Sequence, residues 1–316
     1  MRSSLVRSRR LGSVAEAVGN TPLVRLDRVA REAPSVEVYA KLEFANPGGS
    51  VKDRAALRMM TKAIEEGKLG SGKILIDSTS GNTGVAYSIF GAALGVPVRL
   101  VMPSNVTKAR KDIARAFGTE IIFSDPMEGS DGAIRHVREI VAKDPETYFY
   151  PDQYSNPNNP LAHYHGTAVE ILDALGDRLT HFVAGIGTSG TIVGTSRRLK
   201  EHTRPIRCVA VEPTEPLHGL EGLKHLPSSL VPAIHDGSAY DETLRVTTED
   251  GWDMADRLAR EEALHVGHSS GANVFAAVEI AKKLHQTQGG GCVVAIVCDR
   301  GDRYFAPMKW EKRYLW

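Results

Sequence analysis

From about residue 36 to residue 297, short strand-length runs alternate with longer runs of helical spacing, and most of the strand runs are apolar. A strand that is apolar on both faces must be covered on both faces. The pattern therefore predicts a mostly parallel sheet with helices on each side. Strands are expected at Val36–Leu42, Ile74–Asp77, Val98–Met102, Ile121–Phe123, 181–186, 206–211 and Cys292–Val297. Helices are expected near 50–64, Val85–Leu94, 107–117, 130–142, 166–175, 191–201, 251–262 and 271–284. Ser50 followed by Asp53 reads as a short-acid capping box. The segment Tyr150–Pro160 is dense in Pro and Asn and reads as an irregular crossover. With 316 residues, the chain divides into an N-terminal α/β domain, 1–150, and a C-terminal one, 151–316, each a doubly wound sheet. Residues 12–41 are expected to pack on the other domain.

Charge and composition exclude several classes. Lys plus Arg total 39 and Asp plus Glu 38, a net of +1, which is no basis for binding nucleic acid through its phosphates. No run approaches the roughly 18 apolar residues of a membrane span. Three cysteines, Cys208, Cys292 and Cys298, are too few for a disulfide framework; Cys292 and Cys298 read as small apolar fillers on one strand face. The eleven histidines show no metal-ligand spacing, so no metal is expected. Residues 1–10 carry no acid and read as a solvated basic tail, with a transit sequence as the alternative. The aromatic tail Met308–Trp316 is expected to pack either on its own subunit or on a partner.

The chemistry concentrates in three loops that follow strands, where helix N-termini leave backbone amides unpaired. Gly187, Thr188, Ser189, Gly190 and Thr191 form a small-residue loop suited to a phosphate, without the lysine of a P-loop. Thr79, Ser80, Gly81, Asn82, Thr83 and Gly84 offer amides and hydroxyls enough for a carboxylate. In the third, Lys52 falls in the first turn of its helix, where the macrodipole disfavours a cation and suits an amine used as a nucleophile.

Six motifs occur in order: GNTPLVRL (19–26), NPGGSVKDR (46–54), TSGNTG (79–84), QYSNPNNPLAHY (153–164), GTSGT (187–191) and SSGA (269–272). With them the chain resembles the fold-type II pyridoxal-phosphate enzymes, in the O-acetylserine sulfhydrylase (cysteine synthase) and cystathionine β-synthase group. The ending CDRGDRY (298–304) and the loop 220–234 resemble the B-type cysteine synthases within it. The resemblance implies the tryptophan synthase β-like fold, with pyridoxal 5'-phosphate in the cleft between two sheets. It implies that Lys52 carries the cofactor and removes the substrate Cα proton, and that residues 187–191 cradle the phosphate. Asn82 would meet the ring hydroxyl and Ser269 the pyridine nitrogen, while Thr79, Ser80, Thr83 and Gln153 would hold the substrate carboxylate. Lys224 and His225 stand where the B-type carries arginines and would bind an anionic group of the substrate.

The implied reaction forms L-cysteine from an activated serine, O-acetylserine, and sulfide or thiosulfate through an aminoacrylate intermediate. Alternatives are O-phosphoserine or serine as donor, homocysteine or a nitrogen nucleophile as acceptor, and a cofactor-bound regulatory partner of serine acetyltransferase. A cytoplasmic homodimer, with serine acetyltransferase as a further partner, completes the expectation. His268 departs from the family's aliphatic residue before the serine and reads either as a structural group or as a substrate contact.

Overall fold

The computed structural model describes residues 11–70, 72–79, 81–287 and 289–304. The basic N-terminal tail, Ser80 and the aromatic tail 308–316 lie outside them. The strands are β1 (Leu23–Arg25), β2 (Val36–Leu42), β3 (Ile74–Ser78), β4 (Val98–Pro103), β5 (Glu120–Ser124), β6 (Tyr148–Phe149), β7 (His181–Gly185), β8 (Arg207–Pro213), β9 (Glu242–Val246) and β10 (Gly291–Val297). The helices are α1 (Lys52–Glu65), α2 (Asn82–Leu94), α3 (Lys108–Ala116), α4 (Gly129–Lys143), α5 (Asn158–Ala162), α6 (Ala168–Leu175), α7 (Gly190–Leu199), α8 (Thr248–Glu262) and α9 (His268–Thr287).

Two sheets result. The larger runs β1-β2-β10-β7-β8-β9 and the smaller β5-β4-β3-β6. Every pairing is parallel except that of β1 with β2. Central strands β7, β8 and β10 are buried nearly end to end, which explains their unbroken apolar sequences. β2 joins the larger sheet in register with β10, Val36 opposite Gly291 through Leu42 opposite Val297. Lys52 follows ten residues after β2, so its loop is fixed to the larger sheet although its helix packs with α2.

Two local expectations are corrected. Asp53 does not close a capping box on Ser50; its carboxylate accepts the Gly48 amide at 2.5 Å, and Ser50 Oγ accepts the Lys52 amide at 3.2 Å. The Pro/Asn-rich crossover is not wholly irregular, because α5 begins inside it. Pro160 sits in the first turn of that helix, where a missing N–H costs nothing. A π-helical turn, His163–Thr167, then leads into α6. Among the described residues no helix is long and apolar enough to cross a membrane.

Candidate active site

The cleft lies beyond the carboxyl ends of the larger sheet's strands. It measures about 520 Å³ including its open mouth, and Lys52, Asn82, the 187–191 loop, Ser269 and Asp299 are among its walls.

The 187–191 loop is tight because the neighbours of its two glycines leave no room for a Cβ. A Cβ on Gly187 would lie 2.4 Å from the Gly222 carbonyl oxygen, and one on Gly190 1.9 Å from Asn159 Oδ1. Ser189 takes the left-handed conformation, φ 73°, and its hydroxyl lies 3.0 Å from His235 Nδ1. Asn159 Nδ2 donates to the Gln153 carbonyl at 2.8 Å and to Thr188 Oγ1 at 3.0 Å. Thr191 Oγ1 is 3.3 Å from Nε2 of His163, whose Nδ1 lies 3.0 Å from Thr167 Oγ1. Burial, then the charges of Arg54 and Lys52, hold His163 well below the usual imidazole range, so it serves this loop as a neutral group. Amides, hydroxyls and the start of α7 converge here as an anion site needs.

Lys52 opens α1 from the opposite wall. The Val51 amide donates to the Cys298 carbonyl at 2.8 Å, and Ser50 makes an isolated antiparallel bridge with Asp299. Lys52 is thereby held against the end of β10. Asn82 Nδ2 donates to Asp299 Oδ2 at 2.6 Å, Arg303 donates to Asn82 Oδ1 and to the Gly48 carbonyl, and the Tyr304 hydroxyl donates to Asp299 Oδ2. Burial pushes the Asp299 carboxyl up, against these donors, and its Oδ1 is buried with no hydrogen-bond partner among the described residues. Burial also raises the Cys298 thiol to about 12, which removes it as a thiolate nucleophile near neutrality.

The sequence-predicted residues are thus brought together unevenly. Lys52, Asn82, Gly187 through Thr191 and Ser269 all line one cleft. Thr83 and Gln153 meet each other, Thr83 Oγ1 donating to Gln153 Oε1 at 2.9 Å, and Thr79 Oγ1 accepts the Gly81 amide at 3.4 Å. Lys224 and His225 follow the rim residues Glu221, Gly222 and Leu223 but are not among the cleft's lining residues. The Lys224 ammonium lies 5.2 Å over the Tyr154 ring, and His225 Nδ1 is 2.7 Å from Ser228 Oγ. The cation held at Glu221 is instead Arg110 of α3, at 2.5 Å.

Sequence reasoning missed Asp299, Tyr304, Glu221 and Arg110 as site residues. It also took Cys298 for a strand filler like Cys292. Cys292 is a buried core residue, but Cys298 stands one residue past the end of β10 and faces the cleft. A usable signal was present: Cys298 and Asp299 directly follow a continuously apolar parallel strand, the same position that singled out the other loops.

These walls fit pyridoxal phosphate. The 187–191 loop has no room for a Cβ at Gly187 or Gly190, an amine stands in the wall opposite, and a serine hydroxyl lies at the start of α9. Comparison with known proteins agrees. A cysteine synthase of Aquifex aeolicus (strain VF5) is 50% identical over 294 residues, covering 92% of this chain and 90% of its own. Cysteine synthase B of Escherichia coli (strain K12) is 39% identical over 296 residues, covering 94% and 95%. The crystal structure of a cysteine synthase from Entamoeba histolytica superposes with a TM-score of 0.92 at 34% identity, over 97% of this chain and 93% of that one. The family model described as pyridoxal-phosphate dependent enzyme matches residues 14–299, and the chain belongs to that family.

Proposed function

We propose that this protein forms L-cysteine by β-replacement, taking O-acetylserine as the activated serine and sulfide or thiosulfate as the sulfur donor. The observation that carries the reading is the convergence of Lys52, the 187–191 cradle and Ser269 on one cleft, in a chain half identical to a cysteine synthase.

Pyridoxal phosphate, when bound, supplies the electron sink that lets the Cα–H and Cβ–O bonds of the substrate break. Residues 187–191 would hold its phosphate, Lys52 its carbonyl carbon and Ser269 its ring nitrogen. A serine hydroxyl cannot keep that nitrogen protonated as a carboxylate would, which favours expulsion of a β-leaving group over transamination. Lys52, at the first position of α1, is the base for the Cα proton. Thr79 and Thr83, with Gln153 oriented by the Thr83 hydroxyl, would hold the substrate carboxylate. Asp299 and Tyr304 form the wall beside Asn82, with Asp299 Oδ2 accepting from both Asn82 and Tyr304. On the family resemblance alone, the reading extends to a cytoplasmic homodimer and to serine acetyltransferase as a partner.

The test is a spectral titration of the holoenzyme with O-acetylserine, O-phosphoserine and serine, with cysteine formation assayed in parallel. O-acetylserine is expected to convert the absorbance of the lysine-bound cofactor, and Lys52→Ala to abolish both that absorbance and turnover. A holoenzyme that none of the three changes would instead be a binding protein. Full turnover by Lys52→Ala would overturn the reading outright.

A further inference from the structure

One side chain beside the cleft has no part in the chemistry above. His268 opens α9 immediately before Ser269. Its imidazole stacks on the Trp252 indole, with ring centroids 4.6 Å apart and planes 25° apart, and lies 5.7 Å from the Tyr304 ring at 32°. Burial lowers its pKa, against the opposing charges of Glu221, Asp256 and Asp299, so the contact is between neutral rings.

The two outer rings are tied to different walls. Trp252 Nε1 donates to the Gly219 carbonyl at 3.0 Å, and the Gly219 amide donates to Thr248 Oγ1 at 2.9 Å. A Cβ on Gly219 would lie only 2.8 Å from the indole. The indole therefore anchors the start of the rim segment, of which Glu221, Gly222 and Leu223 line the cleft. Tyr304, on the other side, donates its hydroxyl to Asp299, and both line the cleft as well.

We propose that His268 is a positioning residue whose ring couples the rim segment 219–223 to the Tyr304–Asp299 pair, and that the coupled wall receives the incoming sulfur nucleophile. The inference rests on the β-replacement reading. Thr79, Thr83 and Gln153, assigned to the amino-acid carboxylate, share no hydrogen bond with the stack among the described residues. The stack reaches Asn82 through Asp299 alone, and the walls it braces directly, the 219–223 segment and Tyr304, are those left for the second substrate.

Two measurements on His268→Val, His268→Phe, Trp252→Leu and the His268→Val/Trp252→Leu double variant test this. In the first, His268→Val raises the KM for sulfide about five- to tenfold, the equivalent of one lost aromatic pair. The rate of reaction with O-acetylserine in the absence of sulfide stays within about twofold of the parent. His268→Phe restores the sulfide KM, Trp252→Leu reproduces the loss, and the double variant is no worse than either single one, as a shared linkage requires. In the second, amide hydrogen exchange of the 219–223 segment speeds up in His268→Val, while the 79–90 segment is unchanged. An unaltered sulfide KM, or equal losses in both half-reactions, overturns the proposal. If the parent itself does not react with O-acetylserine, the β-replacement reading fails separately. The exchange measurement then still decides the coupling: unchanged protection at 219–223 refutes it.

Discussion

Replacing Arg54 by methionine is expected to destabilise the protein by about 3–5 kcal/mol. The Arg54 side chain is 4% exposed and holds two carboxylates at once. Its Nε and Nη2 donate to Glu43 at 2.6 and 2.9 Å, and its Nη1 and Nη2 donate to Glu170 at 2.7 and 2.8 Å. Methionine keeps most of the stem's packing and removes these four bonds and a fifth, from Nη2 to Thr21 Oγ1 at 3.2 Å. Glu170 would keep the Lys41 ammonium at 2.6 Å and the Asn20 amide at 2.9 Å, so its share of the loss is small. Glu43, with no exposure, would keep, among the described residues, only the Thr21 hydroxyl and the Asn46 amide. Leaving one partner of a buried pair uncompensated costs about 3–5 kcal/mol, which at about 2 °C per kcal/mol lowers the Tm by roughly 6–10 °C.

Thermal and urea denaturation of the apo and holo proteins measure this loss. Adding Glu43→Gln should recover a large part of it, since the double variant buries no unpaired charge. The pH dependence adds a sign. Burial pushes Glu170 up, but its bonds and charge interaction with Arg54 outweigh this and bring it to about 2. A depressed carboxylate stabilises above its unfolded pKa, and that contribution fades as pH falls from about 4.5 to about 2. Arg54→Met should therefore show a shallower acid loss over that window. A destabilisation under about 1 kcal/mol, or no recovery in the Glu43→Gln double variant, would refute the claim that this network holds the two walls of the cleft.

Two further substitutions probe the site and the core. Gly190→Ala puts a Cβ 1.9 Å from Asn159 Oδ1, a side chain already committed to the Gln153 carbonyl and Thr188, so the cradle must open. Cofactor affinity, read by titrating apoprotein with pyridoxal phosphate, should fall at least tenfold, and an unchanged value would contradict the assigned phosphate site. Asp77→Asn should stabilise the protein above pH 7 and leave it unchanged below about pH 4. Burial raises Asp77 from 3.8 to about 7, so its favourable contribution is complete at low pH and lost as pH rises through that interval. The difference approaches about 4 kcal/mol when fully expressed, and parallel pH–stability curves for the two proteins would exclude it.

Strand positions were legible wherever strands are buried on both faces, because two-sided burial writes itself as an unbroken apolar run. It was not legible at β1, β6 and β9, short elements of two to five residues whose exposed or half-exposed positions interrupt any apolar run. In the site, glycine–hydroxyl loops were found because one stretch of chain makes the whole loop. Asp299 was not, since its meaning comes from Asn82, 217 residues earlier, and from a tyrosine five residues later. The motif around Gly19–Thr21 shows the same limit. Its Gly19 amide donates to Asn46, its Asn20 amide to Glu170 and its Thr21 hydroxyl to Glu43, so two separate motifs, 19–26 and 46–54, meet Glu43 and Glu170 in one ion network around Arg54.

That network changes what the near-zero net charge means. The 187–191 loop offers backbone amides and hydroxyls, with His163, held well below the usual imidazole range, behind Thr191, and none of these carries a full charge. Buried charges flank that loop: Arg54 lies between Glu43 and Glu170, and Asp299 lines the cleft beside Asn82, with Arg303 on the amide's other side. Their geometry places β2, α1, α6 and the end of β10 relative to one another, which sets where Lys52 stands. Apart from Lys52 and Asp299 in the cleft itself, buried charge here positions the walls, and the 187–191 loop offers dipoles. Substitutions of the charged groups should accordingly move stability and cleft geometry first, and cofactor affinity only through them, whereas Gly190→Ala should act on cofactor affinity first.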